Sequence, residues 1–482
     1  MSLSRRDFLI RSGLLAGGLM AQGLWNRALV RKAWADIGDR FLVSIFLDGG
    51  NDGLNTVVPV ANGTFANFRT SYETLRRSGP GGLRLSTSVL APLAIAPDPS
   101  TNTPLALHPG LEGLHRLYQL GKVAVIQGCG YPEYNLSHAV SRSIWETGTR
   151  AAMGGGWLGR YLASRYGASD IPALSVGYWM AGELHQQATS VLTASRLSEL
   201  EFPLDDWYPA DDSDKIAAFQ AVYAAAQASA QPLLRFVGNS GQATLTATQA
   251  YPDLDGLYNT DRPSWLQQYD DLDSGTARRL REVAKVIYGI TQGVPNIAAR
   301  HFALANGGYD THSNQGTVGA NEAHYELHRE VGDALELFYH DLDDMGVADK
   351  VLVMIWSEFS RRPQQNDNGT DHGSQGPVFL VGGRINGGVY GNHPNISDSR
   401  VLNPGATWDD GNTKYSQDNS DPHRSTDFRD VYGAILKHWL AIPQTEILAS
   451  LLQPDIGDPA QYWTAPNFDF VHPSNSQPLF LP

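Results

Sequence analysis

The sequence predicts an α/β protein, a three-layer α/β/α sandwich around a mostly parallel sheet, and three observations carry that reading. Runs such as "RFLVSIFLD", "KVAVIQG", "KVLVMIWSEF" and "PVFLVGG" are nearly continuous in apolar residues, the pattern of strands covered on both faces. Such runs alternate with helix-like stretches from about residue 40 to 180, and the alternation resumes after about 300. With 482 residues, 42% hydrophobic and 18% charged, the chain can bury a sizeable core and does not have the composition of a disordered one.

Taken in order, the N-terminus reads "SRRDFLIRSGLLAGGLM" and then "AWAD". Paired Arg5 and Arg6, a short glycine-interrupted apolar run, and Ala33 and Ala35 ahead of Asp36 fit a twin-arginine signal over residues 1–35. The apolar run is too short and glycine-rich to span a bilayer well, so the chain is not expected to be an integral membrane protein. This reading makes the export machinery a partner and the periplasm or exterior the destination; an uncleaved anchor or a buried first helix is the bland alternative. Residues 1–35 carry six basic groups and one acid, so their removal takes the formal charge from −14 to −19. Non-specific binding to nucleic acid is not expected of so acidic a chain. The lone Cys129 excludes an intrachain disulfide and a cysteine-rich metal site.

Residues 36–482 read as a single domain. "RFLVSIFLDGGNDG" is a buried strand that ends at Asp48 in a glycine-rich loop. A helix-like stretch from Pro109 to Leu120 leads to the strand "KVAVIQG", and "YPEYNLSHAVSRSIWETGT" is a loop opening into a helix. "GGGWLGRYLASRYG" is a helix and "IPALSVG" a strand. Residues of about 183–300 form a mainly helical insertion, in which Trp207, Tyr208 and Trp265 fit either core positions or sugar-stacking ones. Then come the strand and loop "RHFALANGGYDTHSNQG" and a long helix with Leu327, Val331, Leu335, Phe338, Leu342 and Met345 at helical spacing. "KVLVMIWSEF" and "PVFLVGG" are strands, and "STDFRDVYGAILKHWL" is a helix capped by Ser425 or Thr426.

Four loops at predicted strand ends carry acids or histidines: Asp48 with Asn51 and Asp52; Ser137 with His138; Asp310 with His312; and Glu358 followed by Asp371 and His372. In a doubly wound sheet the loops at the carboxyl ends of strands share one crevice. Taken singly, each loop is as well read as a helix cap or an Asx turn. Together, oxygen and imidazole donors point to one or two divalent ions, with zinc, manganese, magnesium and calcium all open. Ser137 opens a helix, where amides and the helix dipole favour an anion; it is either a plain N-cap or a metal-activated nucleophile.

The order of strand-end Asp48, Ser137 at a helix start, Asp310 before a long helix, strand-end Glu358 and His372 before "PVFLVGG" resembles the alkaline-phosphatase-like superfamily of phosphatases, sulfatases and cofactor-independent phosphoglycerate mutases. "SxxxxxxxWxTG" from Ser137 to Gly148 is similar to the nucleophile helix of alkaline phosphatases. "GGNDGLN", "SEFSRR" and "GTDHG", with the twin arginines, resemble the exported bacterial family filed as domain of unknown function 1501, over nearly the whole mature chain. The resemblance implies metal ligation by Asp48, Asp310 and His372 and a nucleophilic Ser137; the loops themselves add His312 and Glu358 as candidate ligands, Asn51 and His138 as candidate anion contacts, and Asp52, Arg361 and Asp371 in supporting roles. Two departures stand out: Glu358-Phe359 replaces the superfamily's Asp-His pair, and His312 lies two residues after Asp310 rather than four. "CGYPE" at Cys129 also lacks the C-x-P-x-R pattern of formylglycine sulfatases.

The function expected on these grounds is metal-dependent hydrolysis of a small-molecule or polysaccharide phosphate or sulfate ester. The rival is a non-catalytic protein that binds a polysaccharide or a partner protein on the same fold.

Overall fold

The computed structural model describes residues 40–150, 154–187, 189–200, 212–319, 321–402, 421–422, 424–452, 463 and 466–481. The twin-arginine segment, Trp207 and Tyr208 lie outside them. Among the described residues no helix is long and apolar enough to cross a membrane.

Among the described residues the central sheet holds nine strands: β1 Phe41–Asp48, β2 Val123–Gly130, β3 Ala173–Val176, β4 Val191–Ala194, β5 His301–Gly307, β6 Val351–Trp356, β7 Gly376–Gly382, β8 Gly388–Tyr390 and β9 Thr426–Asp427. Their order is β8-β2-β7-β6-β1-β5-β3-β4, with β9 also paired to β2. All pairings are parallel except those of β7, which runs antiparallel to both β6 and β2. The protein is therefore mixed α/β with a mainly parallel sheet.

Strand β1 shows why the apolar runs are continuous. Phe41, Val43, Ile45 and Leu47 point into one core, packed with the helices Glu112–Gln119, Gly275–Thr291 and Ala323–Asp344. Leu42 and Phe46 point into a second core on the other face, shared with the helices His138–Thr147, Trp157–Arg165 and Phe428–Ala434. A central strand that feeds two apolar cores has no polar face to alternate with. Four helices, Asp212–Gln227, Pro232–Asp261, Pro263–Asp271 and Gly275–Thr291, follow the edge strand β4. Trp265 packs against the first core and donates its indole N–H to Asp344, 3.0 Å away.

Register fixes the level of the site. Asp48 lies opposite Gly307 and Phe46 opposite Trp356, so Asp48, the residues after Gly307 and Glu358 emerge from the sheet side by side. The chain after Glu358 forms a hairpin, Ser360–Gln365 against Thr370–Gly373, that pairs Arg361 with His372. "GTDHG" is thus the return strand of a hairpin rather than an open loop, and it brings His372 back over the end of β6.

Candidate metal centre

Two glycines set the geometry of the β1 loop. Gly49 and Gly50 take φ values of 123° and 78°, a region that favours glycine. A Cβ on Gly49 would stand 2.3 Å from the Asp310 backbone nitrogen, and one on Gly50 2.3 Å from the Phe359 ring. The loop consequently lies hard against the other two loops, with its amides turned toward Glu358. Glu358 is fully buried and accepts from Gly49 N–H (3.1 Å), Gly50 N–H (3.1 Å), Ser357 Oγ (3.0 Å) and His138 Nδ1 (2.7 Å).

Three imidazoles meet above this floor, each tied at Nδ1 to an acceptor. His138 donates to Glu358 Oε1 at 2.7 Å, His372 to the Leu136 carbonyl at 2.6 Å, and His312 to Asp371 Oδ1 at 3.2 Å. A neutral imidazole that donates from Nδ1 presents a bare lone pair at Nε2. The three Nε2 atoms converge on one carboxylate: His312 and His372 lie 3.1 and 3.4 Å from Asp310 Oδ1, and His138 lies 3.5 Å from Oδ2. The His312 and His372 Nε2 atoms are 2.9 Å apart. His138 Nε2 is buried with no hydrogen-bond partner. Ligands of one tetrahedral ion with bonds of 2.0–2.1 Å sit about 3.3 Å apart; His138, Asp310 and His372, with ligand atoms all within 4.8 Å of one another, make the set that fits a cation, and His312 stands on its far side against Asp310 and His372.

Arg361 holds the fourth donor in place. It is buried and donates to the carbonyls of Gly50 (2.8 Å), Thr370 (2.9 Å), Tyr309 (3.1 Å) and Gly49, and to Asp310 Oδ1 at 2.6 Å. Burial pushes the Asp310 carboxyl upward, but the bond and charge of Arg361, with His312 and His138, outweigh it and hold Asp310 below the usual range. Glu358 raises His138 above the ordinary histidine value, whereas burial lowers His372. The Phe359 ring closes the apolar side, with its centroid 4.9 Å from that of His138 and 4.7 Å from that of His372.

Not every expected residue joins this group. Asp310, His312 and His372 do, and His138, expected at an anion, comes with them. Asp48 stands beside the cluster, with Arg142 at 3.8 Å, and its carboxyl is raised by burial and then by Glu358. Glu358 has its oxygens taken up by amides, Ser357 and His138, so it orients a donor instead of adding one. Asn51, expected to face an anion, is buried; its N–H goes to Ser357, and its Oδ1 lies 3.1 Å from both Thr56 Oγ1 and His324 Nε2. Asp52 is buried in an ion pair with Arg76 at 2.8 Å and accepts from Gln315. Asp371 meets His312, while Arg361 meets Asp310. Ser137 is the exposed N-cap of the helix His138–Thr147, without a capping bond from its hydroxyl.

A second histidine cluster was not anticipated. His108, His324 and His328 bring ring nitrogens within 4.8 Å of one another, all three buried. His108 accepts from Gly110 N–H and donates to the Thr317 carbonyl, both at 3.0 Å, so its lone pair is occupied. Burial drives His108 down to about 4, and burial with the neighbouring histidines of the cluster drives His324 and His328 well below the usual value. Arg76 and Arg361 both bear on His324. The cluster is a set of neutral core imidazoles, electrostatically poorer for a cation than the Asp310 group.

Comparisons with known proteins bear on part of this chain. Residues 292–428 match the family model "Protein of unknown function (DUF1501)". That span contains Asp310, His312, Glu358, Arg361, Asp371 and His372, and the match supports the family resemblance there. No curated protein matches the chain. A solved Bacteroides thetaiotaomicron structure, described under the metabolism of multiple glycosaminoglycans, covers 73% of this chain and 68% of its own at 9% identity and a TM-score of 0.28. A likeness that slight carries no argument about fold or function.

Proposed function

We propose that this protein is an exported, metal-dependent hydrolase of phosphate or sulfate esters, with one ion held by His138, Asp310 and His372 and with His312 beside it against Asp310. The observation that carries the reading is the convergence of three Nδ1-anchored imidazoles on Asp310, with His138 Nε2 left without a partner. A donor set led by imidazole nitrogens suits zinc or manganese better than calcium or magnesium, which prefer all-oxygen sets. A divalent ion bound there would polarise an ester oxygen and favour ionisation of a nearby hydroxyl or water.

The chain's own groups supply the remainder. Glu358, Asp371 and the Leu136 carbonyl fix the imidazoles as Nδ1–H tautomers. Arg361 keeps Asp310 ionised and ties three loops into one rigid floor. The first-turn amides of the helix His138–Thr147 and the half-exposed Arg142 would receive the anionic ester oxygens. Ser137 stands at that same helix start and is the proposed nucleophile.

The test joins metal content to turnover. Protein recovered from its native host should carry about one transition-metal ion per chain and cleave an activated aryl phosphate or sulfate. Ser137→Ala should lose turnover while keeping the ion, since an exposed N-cap change costs only about 1 kcal/mol. A variant as active as the wild type would remove Ser137 from the chemistry, and a metal-loaded protein inert to both ester types would leave the binding-protein reading.

A further inference from the structure

We propose that the loop after β3, carrying Tyr178 and Trp179, is a sugar-binding subsite at the rim of the metal centre, so that the ester group hydrolysed belongs to an oligosaccharide. The inference rests on the hydrolase reading for its reaction but on separate residues for its binding. Tyr178 and Trp179 are 82% and 86% exposed, and Met180 beside them is 42% exposed. Large aromatic side chains seldom stand so fully in water in a row without a partner to cover them.

The backbone beneath them is tightly fixed. Ser175 Oγ donates to the Trp179 carbonyl and accepts from Ala181 N–H, both at 3.0 Å. Gly182 N–H donates to Glu146 Oε1 at 3.2 Å. A Cβ on Gly182 would lie 2.2 Å from Glu146 Oε2, so the loop is pressed against that carboxylate. Glu146 in turn accepts from Arg142 at 2.9 Å, and Arg142 lies 3.8 Å from Asp48. Hydrogen bonds from the aromatic loop through Glu146 to Arg142, and then a longer ion pair from Arg142 to Asp48, thus lead to the edge of the metal centre. Two spacings place the loop at a similar reach: β3 is two strands from β1, about 10 Å, and Glu146 is eight residues along the helix from His138, about 12 Å. A ligand that reacts at Asp310 and rests on Trp179 must therefore extend beyond a single small ester.

Chemistry narrows the occupant. Two adjacent aromatics on a backbone held by these bonds offer broad apolar faces with few rotatable bonds to fix. The polar groups that lead from them toward the metal centre, Glu146, then Arg142, then Asp48, suit a ligand that carries hydroxyls. An anionic membrane surface is a poor match for a chain of formal charge −14. A sugar ring, with an apolar C–H face and a polar edge, satisfies both halves of the surface.

Calorimetric titration with neutral hexasaccharides of glucose, xylose and mannose units tests the subsite directly. At least one should bind the wild type, and Trp179→Ala should weaken that binding about tenfold, with Tyr178→Ala adding to the loss; neither exposed side chain is needed for folding. No binding by any of the three, or equal affinity in Trp179→Ala, overturns the proposal. So does a shift of Trp179 emission on phosphatidylcholine vesicles that the sugars do not produce, because it would make the loop a membrane contact. Sugar affinity that persists in a protein without ester turnover would support the subsite while removing the hydrolase.

Discussion

Glu358 accepts four hydrogen bonds in a fully buried position, two from glycine amides, one from Ser357 and one from His138. Replacing one oxygen by an NH2 group would point a donor at another donor, and a buried donor without an acceptor costs about 1–3 kcal/mol. Glu358→Gln should therefore lower stability by that amount and release the His138 ring from its tautomer. Loss of an orienting partner of this kind typically weakens metal binding 10–100-fold. Competition with a chromogenic chelator measures the change; wild-type affinity would mean that Glu358 has no hold on the site. Gly50 makes a second residue-scale case. Its φ is positive, and a methyl group there would stand 2.3 Å from the Phe359 ring, so Gly50→Ala should cost more than about 1 kcal/mol in a denaturant melt. A neutral result would show that the loop can shift without loss.

At the scale of elements, the helix Ala323–Asp344 shows what the sequence discloses and what it hides. The stripe Val331, Leu335, Phe338 and Leu342 is buried as its spacing predicts. One and two turns earlier the same stripe continues through His328 and His324, and "HYELH" displays that i,i+4 spacing in plain view. Period alone does not say that histidine will stand in for leucine, so those rings were legible as positions and not as core. The hairpin Ser360–Gln365 was harder to see, because Pro363 suits only an edge strand. The strand ends carrying Asp48, Asp310 and Glu358 were legible from apolar runs, but the inward turn of Asn51 and Asp52 depends on the partners His324 and Arg76, which are remote in sequence. The buried triad also predicts a pH response. Its folded values lie below the free value of 6.5, His108 at about 4, so its stabilising contribution is complete above about pH 6.5 and is lost as pH falls toward 4. Each ring contributes up to about 1.4 kcal/mol per pH unit. Arg76 and Arg361 strengthen this effect at His324, and Asp52 opposes it at His108. Glu183 and Asp430, raised to about 7 and about 6 by burial, act in the opposite sense. The diagnostic is therefore a difference: between pH 7 and 5, His324→Phe should lose less stability than the wild type. Parallel melting curves would show that the cluster does not titrate with unfolding.

At the scale of the molecule, the proposed ion ties together segments far apart in the chain: the helix start at His138, the β5 loop at Asp310, and the hairpin at His372. Without a cation, three imidazole lone pairs and a carboxylate face one another with only Arg361 and protons to balance them. Binding that favours the folded chain stabilises it by about 4 kcal/mol at a free ion concentration a thousandfold above Kd. Chelation should accordingly lower the melting temperature, and addition of zinc or manganese should restore it. A drop of that energy corresponds to roughly 2–4 °C per kcal/mol for a domain of 150–250 residues, and less for a larger one. His312→Ala combined with His372→Ala should melt where the chelated wild type melts and should not respond to added ion, because both would lack the same bridge. The twin-arginine expectation bears on where the ion is acquired: a protein exported folded can cross the membrane with its metal already loaded. Arg5→Lys with Arg6→Lys should then hold a metal-loaded precursor in the cytoplasm. Precursor that accumulates without metal would separate loading from export, and a melting temperature indifferent to chelator would remove the ion from the architecture altogether.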